Sequence, residues 1–278
     1  MSVTRKLLRQ RHNYYRWLLV VEVLALLGLR PLQQAPQLVS LVYLTIAGVG
    51  VLMDSPLLPH NRLTPHLEGS VLPQKDHHRL QRVIQRRRLL ANGWLIAAAV
   101  ELLWQATLRV APLLAIQLSV VHVLVWMALM LYVLWGLTNA LAEEPVFNGA
   151  LLMGAAAGYL LIGFTGGIVL NSLLVLDPQA FSLSANLRSD WPLAIAHAPV
   201  MLGAAFGSLT TLGSPVFNHT SLTSVSASVG ITIVGQLYVA ILIAGVLGKP
   251  RQIAAVRKAA HPRGRSQAPS PRLRRNRR

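Results

Sequence analysis

The segment Ser208-Leu-Thr-Thr-Leu-Gly213 places several oxygen-bearing groups between the last two apolar stretches of the chain. Its threonine side chains offer hydroxyl oxygens, and its backbone offers carbonyl oxygens. Oxygens arranged in this way replace the water shell of a cation inside a membrane. The sequence therefore predicts cation ligands at the end of this segment, with an ordinary surface turn as the alternative; the candidates are Thr210, Thr211, Leu212 and Gly213.

Two acidic side chains, Glu22 and Glu101, lie deepest in the apolar stretches. A carboxylate inside a membrane is a functional candidate, because such groups are costly to place there and commonly mark ion or proton pathways. The alternative is that each lies near a helix end or pairs with a polar neighbour. Gln105, His122 and nearby basic side chains are the candidate neighbours.

Groups that would support enzyme chemistry or a bound metal are scarce. The chain has no cysteine, which excludes disulfides, thiol catalysis and thiolate metal sites. Asp76-His77-His78 contains possible metal ligands, but adjacent histidines on a helix point apart, and no second ligand pair has a suitable spacing. We therefore expect no enzyme activity, no metal site and no cofactor.

The composition indicates an integral membrane protein. Of the 278 residues, 53% are hydrophobic and 13% are charged, about half the charged fraction usual in soluble domains. Apolar runs near the ~20 residues that cross a bilayer as a helix recur along the chain. We predict an all-α protein embedded in a lipid bilayer by six transmembrane helices, at 14–29, 38–53, 89–106, 112–138, 149–176 and 223–248.

The distribution of basic residues predicts the orientation of the chain. The formal net charge is +17, and Lys and Arg concentrate before the first run, in 54–88 and after the last run. Only Arg30, Arg109 and Arg188 lie in the alternate connections. Because basic residues stay on the cytoplasmic side, both termini are predicted to be cytoplasmic and 177–222 to lie outside. This distribution explains the charge without a nucleic-acid partner.

Three regions follow from this pattern. Residues 1–148 form a four-helix membrane region with basic cytoplasmic segments, and 149–248 contain the last two helices. Residues 249–278 form a basic tail, rich in Arg, Pro, Ser and Gln, that is predicted to be disordered. Between the last two helices, Pro192 to Thr210 includes an apolar stretch too short to span a bilayer. Such a stretch suits a re-entrant helix, which must be buried in protein or face a water-filled cavity.

Taken together, Ser208-Leu-Thr-Thr-Leu-Gly213 and the later Gly235-Gln-Leu-Tyr238 resemble the pore domain of bacterial potassium channels. In that family, a Thr-Leu-Thr-Thr-Leu-Gly-Tyr-Gly-Asp segment precedes an inner helix with Gly-Gln-Leu-Tyr. The resemblance implies a homotetramer in a bacterial cytoplasmic membrane that conducts a monovalent cation, potassium, passively. The resemblance also adds Ser214 to the candidate cation ligands. It makes Gly235, Gln236 and Tyr238 candidates for pore lining or helix bending, and helix packing is the alternative role of Gly235.

The chain departs from the family pattern after Gly213. Ser214 stands in place of the filter tyrosine, Val216 in place of the outer aspartate, and Pro215 in place of the second glycine. Proline fixes φ at about −65°, so the outer carbonyl ring is not expected to form as in the family. A non-conducting or non-selective relative is therefore one alternative function, and a small membrane transporter or scaffold is another. The fourth run, 112–138, carries no Arg or Lys, so voltage gating is not expected.

Overall fold

The computed structural model describes residues 3–36, 38–54, 74–142, 149–183 and 193–260. These residues are helical apart from turns, short irregular segments and one isolated β-bridge between Phe181 and Phe217. A short 3-10 helix spans Pro178–Ala180. The α-helices of the described residues are α1 (Val3–Leu27), α2 (Leu29–Gln34), α3 (Leu38–Asp54), α4 (Gln74–Val110), α5 (Pro112–Ala142), α6 (Gly149–Leu176), α7 (Leu193–Ala196), α8 (Ala198–Leu209) and α9 (Leu222–Ala260).

Four of these helices contain stretches that are long and apolar enough to cross a membrane. The stretches are Leu89–Thr107 in α4, Gln117–Leu141 in α5, Gly149–Leu176 in α6 and Leu222–Ala244 in α9. They coincide with the last four predicted runs, and together with the helical fold they indicate an all-α membrane protein. The first two runs fall in α1 and α3, where Leu38–Val49 is a shorter apolar helix. Their crossing of the bilayer stays a prediction.

Helix boundaries differ from the sequence prediction in two basic segments. α4 begins at Gln74, within the stretch 54–88 that was predicted to be a loop, and α9 continues through 249–260, where disorder was predicted. In both places the added turns consist largely of Ala, Gln, Arg and Lys, which have high helix propensity. The remainders of these two segments, 55–73 and 261–278, lie outside the described residues.

Helix α6 forms the centre of the fold, and it packs against α1, α5, α8 and α9. Its glycines allow this close packing, because a side chain there would meet a neighbouring helix. Gly154 lies against Tyr15 of α1, and Gly163 lies against Phe206 of α8. Small residues permit such close approach between membrane helices. The central position of α6 therefore follows from the residues along its surface.

One face of α1 is buried against α6. Tyr15, Leu18, Glu22 and Ala25 recur every three or four residues, and all four are buried. This spacing places them on the same side of a helix. Helix α1 ends at Leu27, and the short helix α2 forms most of the connection to α3. A carboxyl group thereby lies on the buried face of α1.

Candidate functional site

Helix α8 runs antiparallel to the second half of α6. Leu202 contacts Gly167, Phe206 contacts Gly163, and the Tyr159 hydroxyl donates to the Leu209 carbonyl at 3.0 Å. Later residues of α8 therefore contact earlier residues of α6, from Gly167 back to Tyr159. Helix α8 ends level with the middle of α6.

The other side of α8 packs on α9. The Ser208 and Ser228 hydroxyls lie 2.9 Å apart, and the Thr232 hydroxyl donates to the Ser208 carbonyl at 2.8 Å. The Leu209 side chain fills the space beside Gly235. A short helix of 12 residues is thus held between two long helices and ends partway along both.

After α8 the chain turns back towards the end of α6. The turn uses two left-handed residues, Thr211 with φ of 63° and Gly213 with φ of 73°, and the Gly213 amide donates to the Gly207 carbonyl at 2.9 Å. The segment then pairs with the residues after α6 through the bridge between Phe181 and Phe217. A left-handed backbone is strained for threonine, and such strain is concentrated at functional sites.

The structure places the predicted cation ligands in different surroundings. Thr210, Thr211, Leu212 and Gly213 are all exposed on the single chain, and the Leu212 side chain is 86% exposed. The Thr210 hydroxyl donates back to the Phe206 carbonyl at 2.7 Å, and the Gly213 carbonyl oxygen lies against Gly207. The Thr210 hydroxyl and the Gly213 carbonyl are therefore engaged within the chain, whereas Thr211 and Leu212 stand at the exposed tip of the turn.

Ser214 takes part in the turn itself, because its hydroxyl accepts a hydrogen bond from the Val216 amide at 3.3 Å. On α9, Gly235 is buried under Leu209 and Gln236 is exposed. The Tyr238 hydroxyl donates to the Ala155 carbonyl of α6 at 2.9 Å. Gly235 and Tyr238 thus take part in contacts between helices. For Gly235, helix packing is the alternative role given in the sequence prediction. Gln236 alone of these three lies on an open face.

A second polar site surrounds Glu101, which is 3% exposed. Its Oε1 accepts hydrogen bonds from the Ser40 hydroxyl at 2.6 Å and from the Gln105 amide at 2.9 Å. Its Oε2 lies 2.6 Å from His122 Nε2 and accepts from the Trp126 indole N–H at 3.2 Å. Each carboxylate oxygen therefore has two partners, drawn from α3, α4 and α5. The predicted alternative for Glu101, pairing with Gln105 and His122, describes what the structure contains.

A cavity of about 50 Å³ adjoins this cluster. Its walls include Ser40, His122 and Trp126 from the cluster and Asn171 from α6. The rings of Trp104 and His122 stack with centroids 4.1 Å apart. Ile195 of α7 and Ala198, the first residue of α8, complete one side. The cavity therefore lies between α3, α4 and α5 on one side and α6, α7 and α8 on the other.

Glu22 has quite different surroundings. Its side chain is 0% exposed, and neither carboxyl oxygen has a hydrogen-bond partner among the described residues. An ionised carboxylate is very costly to bury in this way. Glu22 and Glu101, which look alike in the sequence, are therefore an isolated carboxyl group and a fully hydrogen-bonded one.

Three residues around Glu101 and the cavity were not predicted from the sequence: Ser40, Trp126 and Asn171. A partial signal exists for Trp126, which lies four residues after His122, as Gln105 lies four residues after Glu101. Residues at this spacing share one face of a helix. Ser40 and Asn171 come from other helices, and their spacing in the chain gives no such signal.

The fold and these sites define an all-helical membrane protein with a half-length helix held between two long ones. No protein-family model matches the chain, and comparisons with curated proteins and with solved structures find no match.

Proposed function

We propose that the protein is a channel-like membrane protein that passes a monovalent cation, potassium, passively through a pore built by α6, α8 and α9. The observation that carries this proposal is the path of 198–217, which runs halfway along α6 and then returns. A helix of 12 residues is about 18 Å long, too short to cross a hydrocarbon core of about 30 Å. The segment fits a re-entrant pore loop.

The electrostatics of α8 favour a cation at its end. The C-terminal end of a helix carries the partial negative charge of the helix dipole. Helix α8 ends at Leu209, and its last four carbonyl groups, from Phe206 to Leu209, also accept hydrogen bonds from within the chain. The turn that follows presents Thr211 and Leu212 to the surrounding space. Carbonyl oxygens at this turn and the Thr211 hydroxyl supply the kind of ligands that replace a cation's water shell.

A homotetramer is proposed because a single copy of this turn gives only an open face. Rings of carbonyl oxygens in such filters come from several chains around one axis. Only 11% of the apolar span of α9 is buried within one chain. Lipid and neighbouring copies would cover the remainder. Six crossings, cytoplasmic termini and a bacterial cytoplasmic membrane complete the proposal, on the basis of the charge pattern and the resemblance.

A second candidate is a relative that assembles in the same way but does not conduct. It is favoured by Pro215 and by the position of the Gly213 carbonyl oxygen against Gly207. Proline holds its φ at about −65°, and a carbonyl oxygen that packs on its own helix differs from the axis-facing carbonyl oxygens of such filters. This candidate retains the fold and the tetramer but predicts no flux.

Flux through purified protein in liposomes tests both candidates. Potassium and sodium gradients would be compared for the native chain, Pro215→Gly and the control Pro178→Gly, which changes a proline in the same connection but outside the turn. Light scattering in detergent would report the number of subunits. Potassium flux from a tetramer is the expected result. A tetramer without flux in any variant would favour the non-conducting relative, and a monomer without flux would end the channel proposal.

A further inference from the structure

The start of α4 lies at the same end of the fold as the start of α6. Helices α4 and α5 form a hairpin, because one residue joins them and they pack against each other. Gly93 of α4 lies beside Leu129 of α5, well away from that connection, so the start of α4 is on the side where α5 ends. Leu141, near the end of α5, lies against Gly154, near the start of α6. These three helix ends therefore share one end of the fold.

The end of α9 lies at this end as well. Ile231 packs beside Gly166 in the second half of α6, whereas Tyr238, later in α9, reaches Gly158 in the first half of α6. Helix α9 therefore runs antiparallel to α6, and its last turns lie towards the start of α6. It continues past its apolar span as far as Ala260, and α4 begins well before its own apolar span.

The parts of α4 and α9 that extend beyond the apolar spans are basic. The stretch 74–88 of α4 contains six Lys or Arg and one Asp, and the stretch 245–260 of α9 contains four Lys or Arg and no acidic residue. Asp54, which ends α3, and Glu143 and Glu144, which lie between α5 and α6 in the sequence, offset only part of this charge. This end of the fold therefore carries a net positive charge.

The positions of Arg86, Arg87 and Arg88 are at the level of lipid headgroups. They come directly before Leu89, the first residue of the apolar span of α4, and three helical residues occupy about 4.5 Å. The headgroup layer on each side of a hydrocarbon core is about 5–7 Å thick. Successive helical residues are about 100° apart, so the three positions cover more than half of the circumference of α4. Only 17% of the adjoining span is buried within the chain, which leaves most of this helix open to lipid.

We propose that Arg86 to Arg88 bind the phosphate groups of anionic phospholipids, and that Lys249 and Arg251 of α9 add positive charge at the same membrane surface. Arginine binds phosphate oxygens through two parallel hydrogen bonds, and basic clusters directly beside a membrane span attract anionic lipids. The depth of the three arginines favours a lipid headgroup over a nucleic acid, which would approach from the water. The site is separate from the turn at Thr211, so it stands whether or not the protein conducts.

Native mass spectrometry of the full chain in detergent would count bound lipids as phosphatidylglycerol or phosphatidylcholine of the same acyl chains is titrated. The first bound phosphatidylglycerol should be preferred about fivefold or more, as expected from one arginine at the membrane surface. Raising the ammonium acetate concentration to about 1 M should reduce this preference, because the Debye length then falls to about 3 Å. Equal affinities for the two lipids would overturn the proposal, and so would a preference that salt does not change.

The combined variant Arg86→Gln, Arg87→Gln and Arg88→Gln should lower the preference about fivefold or more. The matched control combines Lys75→Gln, Arg79→Gln and Arg82→Gln, which removes the same charge from the same helix. These three positions lie about 10–21 Å beyond Leu89 along the helix, at or beyond a Debye length of about 10 Å. The control should therefore retain most of the preference.

Thermal unfolding would check that both variants are folded, and the salt dependence of the native chain decides the matter if the first variant is not. Equal loss of preference in the two variants would overturn the proposal, because it would indicate attraction by the total charge rather than binding at headgroup level. A single-stranded oligonucleotide that displaces phosphatidylglycerol from the native chain but not from the control variant would overturn it in favour of a nucleic acid.

Discussion

The hydroxyl of Tyr238 occupies the space that a side chain at Gly158 would need. The same hydroxyl donates to the Ala155 carbonyl at 2.9 Å, so α9 is fastened to α6 at a point where α6 has no side chain. A tyrosine that the sequence marks as a pore-lining candidate is thus part of a contact between two helices. The glycine and the tyrosine form one structural unit.

Gly158→Ala should therefore destabilise the protein. The added methyl would overlap the Tyr238 ring and hydroxyl, and overpacking of this kind costs about 1–3 kcal/mol. Thermal unfolding in detergent would measure the loss. Gly136→Ala on α5 is the control, because nothing lies within 4 Å of the position of its added carbon. The double variant Gly158→Ala with Tyr238→Ala should lose less stability than the sum of the losses in the two single variants, because the overlap is then removed. Additive losses would contradict the contact between Gly158 and Tyr238.

Replacing each buried glutamate by leucine should change stability in opposite directions. Glu22→Leu removes a carboxyl group that has no partner in the part of the chain that the structure describes, and it should stabilise by about 1–3 kcal/mol. Glu101→Leu leaves the donors around it unpaired and should destabilise by about 3–5 kcal/mol. Because the substitution is the same, each variant is the control for the other. Loss of stability in both variants, measured by thermal unfolding, would show that Glu22 has a partner.

Gly207→Ala should disturb the turn after α8, because the added carbon would overlap the Gly213 carbonyl oxygen. Strain of about 1–3 kcal/mol would lower the ratio of the native turn to other conformations of this segment by roughly five- to 150-fold. Gly203→Ala, one turn earlier on the same helix, has open space around it and should behave like the native chain. Cation flux in liposomes would compare the two if the native chain conducts, and thermal unfolding would compare them in either case. Equal behaviour would contradict the contact between Gly207 and Gly213.

Glycine substitutions at Thr210 and at Thr211 should change the stability of the protein in opposite directions. Thr211 has φ of 63°, which costs a β-branched residue about 1–3 kcal/mol and glycine almost nothing. Thr211→Gly should therefore stabilise by about 1 kcal/mol. Thr210→Gly should destabilise by about 1 kcal/mol, because it loses the hydrogen bond to Phe206. Thermal unfolding of both variants checks the signs, and a stable Thr210→Gly beside an unstable Thr211→Gly would contradict the backbone angles.

Helix positions were largely predictable because a bilayer requires long apolar runs. The run 149–176 matches α6 at both ends, since Gly149 directly follows Asn148 and Pro178 comes soon after Leu176. The ends of α4 and α9 were less predictable, because basic residues such as Arg86 to Arg88 suit a loop and an exposed helix equally well. Hydropathy identifies only the apolar part of a helix. It therefore does not predict where a helix ends when its last turns are polar.

The amino-acid sequence by itself determined the class of this protein, a helical membrane protein, because the number and length of apolar runs along a chain dictate that class. It also marked Thr210 to Ser214, Glu22 and Glu101 as chemically unusual. Only the tertiary structure decided what surrounds them. Glu101 has partners on three helices, Glu22 has none among the described residues, and the Gly213 carbonyl oxygen lies against Gly207. The physical reason is that hydrogen-bond partners and backbone directions depend on how helices distant in sequence pack together.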